Sequence, residues 1–232
     1  MTDPSTASNA DSSAGRTADP SVNLFSIERS VVVEPSDAGL QLGVISRITI
    51  AASAADLWRS LTDADHLRRW FLPVTGELHV GGAFSAEGNA SGVVVRCDPD
   101  QRLTVTWGDE SSVVDVRLVP DAPGDTSVPP EPSSAHLERT SVELKHTYPL
   151  SMAGNGTGAF YVGPGWDFAL NALRAFHSSA PLIGLNTPQE QVFNRQALLA
   201  WGLIVEASAT ATPEEVAVGI TETLPQWAPD LA

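Results

Sequence analysis

The sequence predicts an α+β domain in which an antiparallel sheet is covered on one face by a long helix. Short β-rich segments between residues 76 and 148 follow one another with turn residues and no helices between them, which indicates an antiparallel meander. Apolar and polar residues alternate along these segments, as in a sheet with one solvated face. The stretch 163–177 repeats apolar residues at helical spacing, and such a helix would cover the apolar face of the sheet.

Composition places the chain among globular proteins with a packed core. The 232 residues include 13 Lys plus Arg and 28 Asp plus Glu, for a net charge of −15, which argues against nucleic acid as a partner. Cys97 is the only cysteine, so no intramolecular disulfide can form, and this usage suits a reducing cytoplasm. Neither a secretion signal nor an apolar run of membrane-spanning length is visible. We therefore expect a cytoplasmic protein without a membrane span.

The chain divides into three predicted regions: a tail over 1–23, a main domain over 24–180 and a helical extension over 181–232. The tail is rich in Ser, Thr, Ala and Asp, with too few large apolar residues to order it. Two β-rich segments, 25–34 and 40–50, are separated by the turn-type residues 35–39, which predicts a hairpin or one long first strand.

Two short helices are predicted next. Ser53 is an N-cap candidate with Asp56 three residues on, and Leu57, Trp58 and Leu61 share one face of the helix that follows. A second helix is predicted over 63–70, and Pro73 and Gly76 end the helical region.

Six strands follow, predicted over 76–80, 83–87, 92–97, 102–107, 111–119 and 138–148. Alternation assigns one face to apolar side chains and His146, and the opposite face to residues such as Arg102, Asp115 and Lys145. The inward positions are Leu103, Val105, Trp107, Val114, Val116, Leu118, Val142, Leu144 and His146.

Two loops stand out. Residues 120–137 contain five prolines with Ser, Asp and Gly, which predicts a long mobile loop. Residues 149–163 are rich in glycine but contain Met152, Phe160 and Tyr161, which predicts either a plain connector or a lid beside a groove.

The long helix is predicted over 163–177, with Pro164 in its first turn. Trp166, Leu170 and Leu173 lie on its apolar stripe, whereas Asp167 and Asn171 fall outside it. Two more helices follow in the extension. Thr187 with Glu190, and Thr212 with Glu215, each form a capping-box pattern with proline at the first helical position, and we expect Pro225 to stop the last helix. The sequence leaves open whether these helices pack on the domain or mediate a homodimer.

Several short motifs taken in order resemble the heat-shock protein 90 ATPase activator homologue family. This family belongs to the SRPBCC superfamily, also called START-like or birch-pollen-allergen-like. The resemblance covers about residues 47–177, and the region near Trp201 is similar to the C-terminal extension of longer bacterial members. The motifs are Leu57-Trp58-Arg59-Ser60-Leu61-Thr62-Asp63, Trp70-Phe71-Leu72-Pro73, Gly81-Gly82, Gly92, Leu103-Thr104-Val105-Thr106-Trp107, Leu144-Lys145-His146 and Gly165-Trp166-Asp167.

The resemblance implies the helix-grip fold, a curved antiparallel sheet wrapped around a long C-terminal helix, with two short helices after the first strand. A cavity between sheet and helix commonly binds sterols, lipids, polyketides or plant hormones in this superfamily, and a few members carry out cyclase, dehydratase or hydrolase chemistry there. The family name also implies a chaperone as partner, and a role in the stress response.

Eight residues are candidates for contact with a ligand in such a cavity. His146 is either a core histidine hydrogen-bonded to a neighbouring backbone group or a group that orients a ligand, and the large aromatics are either core or cavity wall. The candidates are Trp70, Phe84, Trp107, Val116, His146, Trp166, Leu170 and Leu173.

Other polar clusters have simpler interpretations. Asp56, Asp63 and Asp65 lie at helix starts, where they serve as caps, although His66 nearby admits a metal or acid–base cluster. No phosphate loop, dinucleotide fingerprint or nucleophile elbow is present, so we expect no cofactor, no metal and no catalytic residue. The leading hypothesis is non-enzymatic binding of a small hydrophobic molecule. The alternatives are a chaperone-activating interaction module, and an enzyme acting on a hydrophobic molecule in the same cavity.

Overall fold

The computed structural model describes residues 26–121 and 138–232. The predicted tail over 1–23 and nearly all of the predicted loop over 120–137 lie outside the described residues. One eight-stranded antiparallel sheet has the order β1-β2-β8-β7-β6-β5-β4-β3. Its strands are β1 Glu28–Ser36, β2 Gly39–Ile50, β3 Val74–Gly76, β4 Ala83–Ala86, β5 Ser91–Asp98, β6 Arg102–Trp107, β7 Asp109–Pro120 and β8 Thr140–Pro149.

The predicted alternation along the sheet is confirmed most clearly on β8. Val142, Leu144 and His146 are buried, while Glu143 and Lys145 point to the other, less buried face. β8 pairs with both β2 and β7, so the first hairpin joins the meander through the last strand. The fold is thus the curved, one-sided sheet that the sequence predicts.

Helices α1 (Ala54–Thr62) and α2 (Ala64–Trp70) begin at the predicted caps. The Ser53 side chain accepts from the backbone N–H of Asp56, and the Asp63 carboxylate accepts from the N–H groups of Asp65 and His66. The acidic residues around His66 are therefore helix-start residues, as the simpler interpretation expects.

The strand predicted over 76–80 is wrong. β3 covers Val74–Gly76 and stops where Gly76 adopts a φ of +134°, a conformation that only glycine takes readily. The next residues form a turn in which the N–H of Gly82 donates to the carbonyl of His79. Leu78 and Val80 of this turn are exposed, so these two apolar residues do not belong to the buried face of a strand.

The segment predicted as a connector or lid is instead ordered and partly buried. It forms helix α3 (Leu150–Ala153) and a 3₁₀ helix over Gly156–Tyr161, in which Phe160 is fully buried. Its glycines permit close packing, because a Cβ at Gly158 would lie 2.7 Å from the Ala153 Cβ. Gly156 and Gly163 likewise lie where a Cβ would clash, with Thr210 and with Trp201, so three of the four glycines of this segment mark tight contacts.

Helix α4 (Gly163–Ser178) is the predicted long helix, and Trp166, Leu170 and Leu173 face the sheet in the main core cluster. The prediction that Asp167 and Asn171 fall outside the buried face is wrong, since both are buried. The reason is helix α5 (Pro188–Ser208), which covers the second side of α4.

Helix α6 (Pro213–Trp227) begins with a complete capping box between Thr212 and Glu215. At α5 only half of the predicted box forms: Thr187 accepts from the N–H of Glu190, but the Glu190 carboxylate accepts from Asn186. Pro225 does not stop α6, which continues to Trp227 before a final 3₁₀ turn over Pro229–Leu231. A proline in the last turn removes one hydrogen bond, and the Trp227 indole N–H donates to the carbonyl of Phe160 at 2.7 Å.

The extension packs on the sheet domain through a second core cluster. Leu198, Trp201 and Val205 of α5 are fully buried and belong to the same cluster as Leu42 of β2 and Phe160. None of the helices within the described ranges is long and apolar enough to cross a membrane.

Candidate functional site

An apolar cavity lies between the two short helices and the β3–β6 end of the sheet. Its volume is about 160 Å³. Its floor is formed by sheet residues and its roof by α1, α2 and Phe71, while Glu77 and Leu78 stand at the exposed mouth. The main apolar lining residues are Leu61, Leu67, Phe84, Val94, Leu103, Val105 and Trp107. We call this space cavity A.

A second cavity of about 180 Å³ lies at the N-terminal end of α4. Its walls come from elements distant in sequence: the turn after β4, the ends of β6 and β8, the start of α4 and the end of α6. The lining residues are Phe71, Asn89, Trp107, His146, Tyr161, Val162, Gly165, Trp166 and Trp227. We call this space cavity B.

Phe71 and Trp107 belong to the walls of both cavities, so the cavities are neighbours and these rings lie at their junction. The Trp107 ring centroid lies 6.5 Å from that of Phe71, 5.8 Å from that of Phe84 and 5.2 Å from that of Trp166. These separations are typical of packed aromatic pairs. The sheet and α4 therefore touch through Trp107 and Trp166.

His146 has a hydrogen-bond partner on each ring nitrogen. The indole N–H of Trp166 lies 3.0 Å from Nδ1, and the Ser112 hydroxyl lies 2.8 Å from Nε2. An indole nitrogen can only donate, so Nδ1 accepts and the neutral ring carries its proton on Nε2, which donates to Ser112. His146 is thus a core histidine that is hydrogen-bonded to two side chains and not to a backbone group, and it also lies in the wall of cavity B.

This arrangement limits the chemistry of His146. Burial lowers its pKa to about 4, so the ring is neutral at physiological pH. Its unprotonated nitrogen faces Trp166 and not the Ser112 hydroxyl, so the two cannot act as a base and nucleophile pair. His146 serves as a positioning group in this geometry.

Of the eight predicted ligand-contact residues, four line a cavity and four do not. Phe84 and Trp107 line cavity A, and Trp107, His146 and Trp166 line cavity B. The other four lie in the core cluster or against it and form no part of the two cavity walls within the described residues; they are Trp70, Val116, Leu170 and Leu173. Trp70 also donates its indole N–H to the carbonyl of Ser60 at 3.0 Å, which fixes α2 against α1.

Most wall residues of the two cavities lie outside the predicted set, and Phe71 and Trp227 are two aromatic residues among them. Phe71 follows the last residue of α2, and the backbone turn there, with φ −119° and ψ −109°, takes it out of helical periodicity. Trp227 comes after Pro225, the residue at which the sequence predicts the end of the last helix. An aromatic residue next to a helix boundary was the only available signal for either.

Asp167 forms a buried polar cluster on the opposite side of α4. Its carboxylate accepts hydrogen bonds from Arg29 at 2.7 Å, Ser46 at 2.9 Å and the Trp201 indole at 3.0 Å. Burial raises the pKa of Asp167 to about 6, against the opposing effect of Arg29 and the other donors. The cluster joins α4 to β1, β2 and α5. No group of His, Cys, Asp or Glu in the described ranges has the geometry of a metal site.

Sequence comparison assigns the chain to a family. The family model described as "Activator of Hsp90 ATPase homolog 1-like protein" matches residues 51–175, which is more than half of the chain. The chain belongs to this Hsp90-activator-like family. The matched region contains the lining of cavity A, whereas Trp227 of cavity B lies outside it.

Solved structures of similar proteins agree with this fold. The crystal structure of CalU16 from Micromonospora echinospora is 30% identical, covers 78% of this Hsp90-activator-like chain and 98% of CalU16, and has a TM-score of 0.58. A solution structure of CalU16 gives 28% identity and a TM-score of 0.59, over 78% and 96% of the two chains. EF2215 from Enterococcus faecalis, a conserved protein of unknown function, is 18% identical over 80% and 95%, with a TM-score of 0.54. No curated protein matches the sequence.

Proposed function

We propose that this protein binds a small, largely apolar molecule in cavity A without transforming it. The observation that carries the proposal is the cavity itself, a preformed space of about 160 Å³ whose walls are mostly aliphatic and aromatic side chains. Binding sites for small molecules have this character, with few polar groups to fix orientation. The polar lining residues of cavity A are Thr62, Thr75 and Glu77.

The volume indicates the size of the buried part of the ligand. An apolar protein cavity of about 150 Å³ stays dry and binds benzene, so cavity A has room for one six-membered ring or a short branched chain. Burial of apolar surface would drive binding at about 25 cal/mol per Å², before the cost of immobilising the ligand. The rest of a larger ligand would extend beyond cavity A.

The polar groups support binding more than catalysis. His146 is neutral, is hydrogen-bonded on both nitrogens and belongs to cavity B, while Glu77 lies at the exposed mouth of cavity A. A proton-transfer mechanism needs an acid or base with a free atom inside the site. The enzyme hypothesis therefore has no residue to carry it in cavity A.

Benzene titration followed by methyl NMR tests this function. We expect shifts confined to methyl groups that line cavity A, such as those of Leu67, Val94 and Val105. Val74→Phe, which adds a ring at a half-buried wall position, should abolish them, whereas Val119→Phe at an exposed position of β7 should not. Unchanged cavity A methyls in the folded wild type at saturating benzene would contradict the proposal.

Family membership favours a second function, stimulation of a chaperone ATPase. The description of the matching family refers to an activator of the Hsp90 ATPase, and the match covers residues 51–175. An interaction module would present exposed apolar residues, and helix α5 carries Val192, Leu199 and Leu203 on its exposed side. The test is ATP turnover by an Hsp90-type chaperone from the same host, which should rise with added protein. No rise at saturating protein would eliminate this function.

A further inference from the structure

The indole N–H of Trp107 differs from those of most other tryptophans in the protein. The indoles of Trp70, Trp166, Trp201 and Trp227 each donate to a protein acceptor between 2.7 and 3.0 Å. The Trp107 indole N–H forms no hydrogen bond with any acceptor in residues 26–121 and 138–232. Trp58 shares this property, but it lines neither cavity. A partly buried donor without a partner at a cavity wall is a ready group for a ligand acceptor.

The two cavities have the dimensions of single rings. Their volumes of about 160 and 180 Å³ are each close to that of the benzene-binding cavity described above. Because Phe71 and Trp107 line both, a ligand that places one ring in each cavity must cross the junction beside Trp107. The linker between the two rings of such a ligand would be short, because the two cavities share these wall residues.

Charge restricts the ligand further. The described residues that line the two cavities include no Lys, Arg or Asp, and their one Glu is Glu77, at the mouth of cavity A. The net charge of the whole chain is −15. An anionic ligand would meet repulsion and no compensating cation, so a neutral molecule fits the site best.

We propose that the ligand of this protein is a neutral two-ring molecule whose linking atom bears a hydrogen-bond acceptor oxygen, and that the Trp107 indole N–H donates to that oxygen. One ring lies in cavity A and the other in cavity B, against Trp166 and Trp227. This inference rests on the proposed function, and it adds the ligand class and the residue that determines specificity. Cavity B is completed by α6, outside the matched family region.

Benzophenone and diphenylmethane form a matched pair of probes, since they differ only in the carbonyl oxygen on the linking atom. We expect benzophenone to bind about 2- to 10-fold more tightly, the range that a net hydrogen bond of 0.5–1.5 kcal/mol gives. In ¹H–¹⁵N spectra of the full chain, benzophenone should move the Trp107 indole signal to lower field, and diphenylmethane should not.

Trp107→Phe assigns that signal and removes the donor while keeping an aromatic ring. In this variant the two compounds should bind equally. Trp58→Phe is the matched control, because it also removes an unpartnered indole N–H but leaves both cavity walls intact, and it should keep the preference for benzophenone. If Trp107→Phe does not fold, the Trp107 indole signal is assigned from triple-resonance and NOESY spectra of the wild type, and its shift on addition of benzophenone decides.

Two results would overturn the inference: equal affinity of the wild type for both compounds, or a benzophenone complex in which the Trp107 indole signal does not shift. If benzene still binds in cavity A in either case, the proposed function survives and only the ligand class is wrong. If benzene, benzophenone and diphenylmethane all fail to bind, both the function and the inference fall.

Discussion

The side chain of His146 shows how a single buried polar residue acquires its role from its neighbours. Trp166 can only donate, so it dictates which ring nitrogen is unprotonated, and Ser112 receives the proton on the other side. Protonation of His146 would place an N–H at Nδ1 directly against the indole N–H of Trp166, and two donors cannot form a hydrogen bond. The hydrogen bonds thus act in the same direction as burial, which lowers the pKa of His146 to about 4.

This pKa predicts a loss of stability in acid. In the unfolded chain His146 takes up a proton near its ordinary pKa of 6.5, whereas the folded chain resists protonation until about pH 4. The stability contributed by neutral His146 is therefore complete above about pH 6.5 and is lost as the pH falls towards 4. Between pH 7 and pH 5 the loss is about 2 kcal/mol.

Urea denaturation of the wild type and His146→Gln at both pH values measures this effect. Glutamine keeps an acceptor for Trp166 but does not titrate, so the wild type should lose about 2 kcal/mol more than the variant between pH 7 and pH 5. Subtraction cancels the opposite contribution of Asp167, whose raised pKa makes stability increase as the pH falls towards 4. Parallel pH profiles would show that His146 is not held neutral.

At the scale of elements, α4 is buried on two sides and not on one. Trp166, Leu170 and Leu173 face the sheet, and Asp167 faces α5, β1 and β2 through its three donors. A buried carboxylate is costly unless its hydrogen bonds are satisfied, and here they fix the position of α5 through Trp201. The hydrogen bonds of Asp167 therefore hold the extension in position relative to the sheet domain.

Asp167→Ala should destabilise the fold by about 3–5 kcal/mol, because it leaves the buried Trp201 N–H without an acceptor and removes the carboxylate from Arg29. The control is Asp65→Ala, which breaks an exposed ion pair with Arg68 and should cost less than 1 kcal/mol. Thermal and urea unfolding measure both. Similar losses in the two variants would mean that the cluster contributes nothing specific.

The sequence predicts most elements because caps and alternation are local. Ser53, Asp63 and Thr212 cap helices where their spacing indicates, and the strands end near their turn residues. The failures have non-local causes. Asp167 is buried by α5, and its partner Trp201 comes 34 residues later in the sequence. Helix α6 continues past Pro225 because Trp227 packs on the 3₁₀ helix before α4.

At the scale of the whole molecule, the extension shares a core with the sheet. Trp201 and Val205 of α5 are fully buried beside Leu42 and Phe160, and a Cβ at Gly163 would lie 2.5 Å from the Trp201 ring. Glycine at that position permits the two helices to approach this closely. This packing predicts that the extension and the sheet domain fold as one unit.

Truncation after residue 180 should therefore abolish cooperative folding. It would expose Leu42, Val44 and Phe160. It would also remove Trp201, whose indole N–H donates to the Asp167 carboxylate. Circular dichroism and proteolysis of the truncated chain measure the outcome, with removal of only residues 228–232 as control. A truncated chain that unfolds cooperatively with an unchanged Tm would contradict this view.

The candidate site is predictable from sequence only in part. Strand alternation places Trp107 and His146 inward, and helical spacing places Trp166 opposite them, so these three come together as expected. Whether a large inward aromatic lines a cavity or fills the core depends on the spacing between elements. Leu170, Leu173 and Trp70 satisfy the same patterns and lie in the core.

Diffraction from crystals exposed to benzene vapour or xenon tests the central claim, a preformed apolar cavity that accepts a ligand, most directly. We expect density for benzene or xenon in cavity A, in contact with Leu67, Val94, Val105 and Trp107, with little movement of these side chains. A cavity A that is closed by its own side chains, or that holds ordered water and takes up neither compound, would contradict the account.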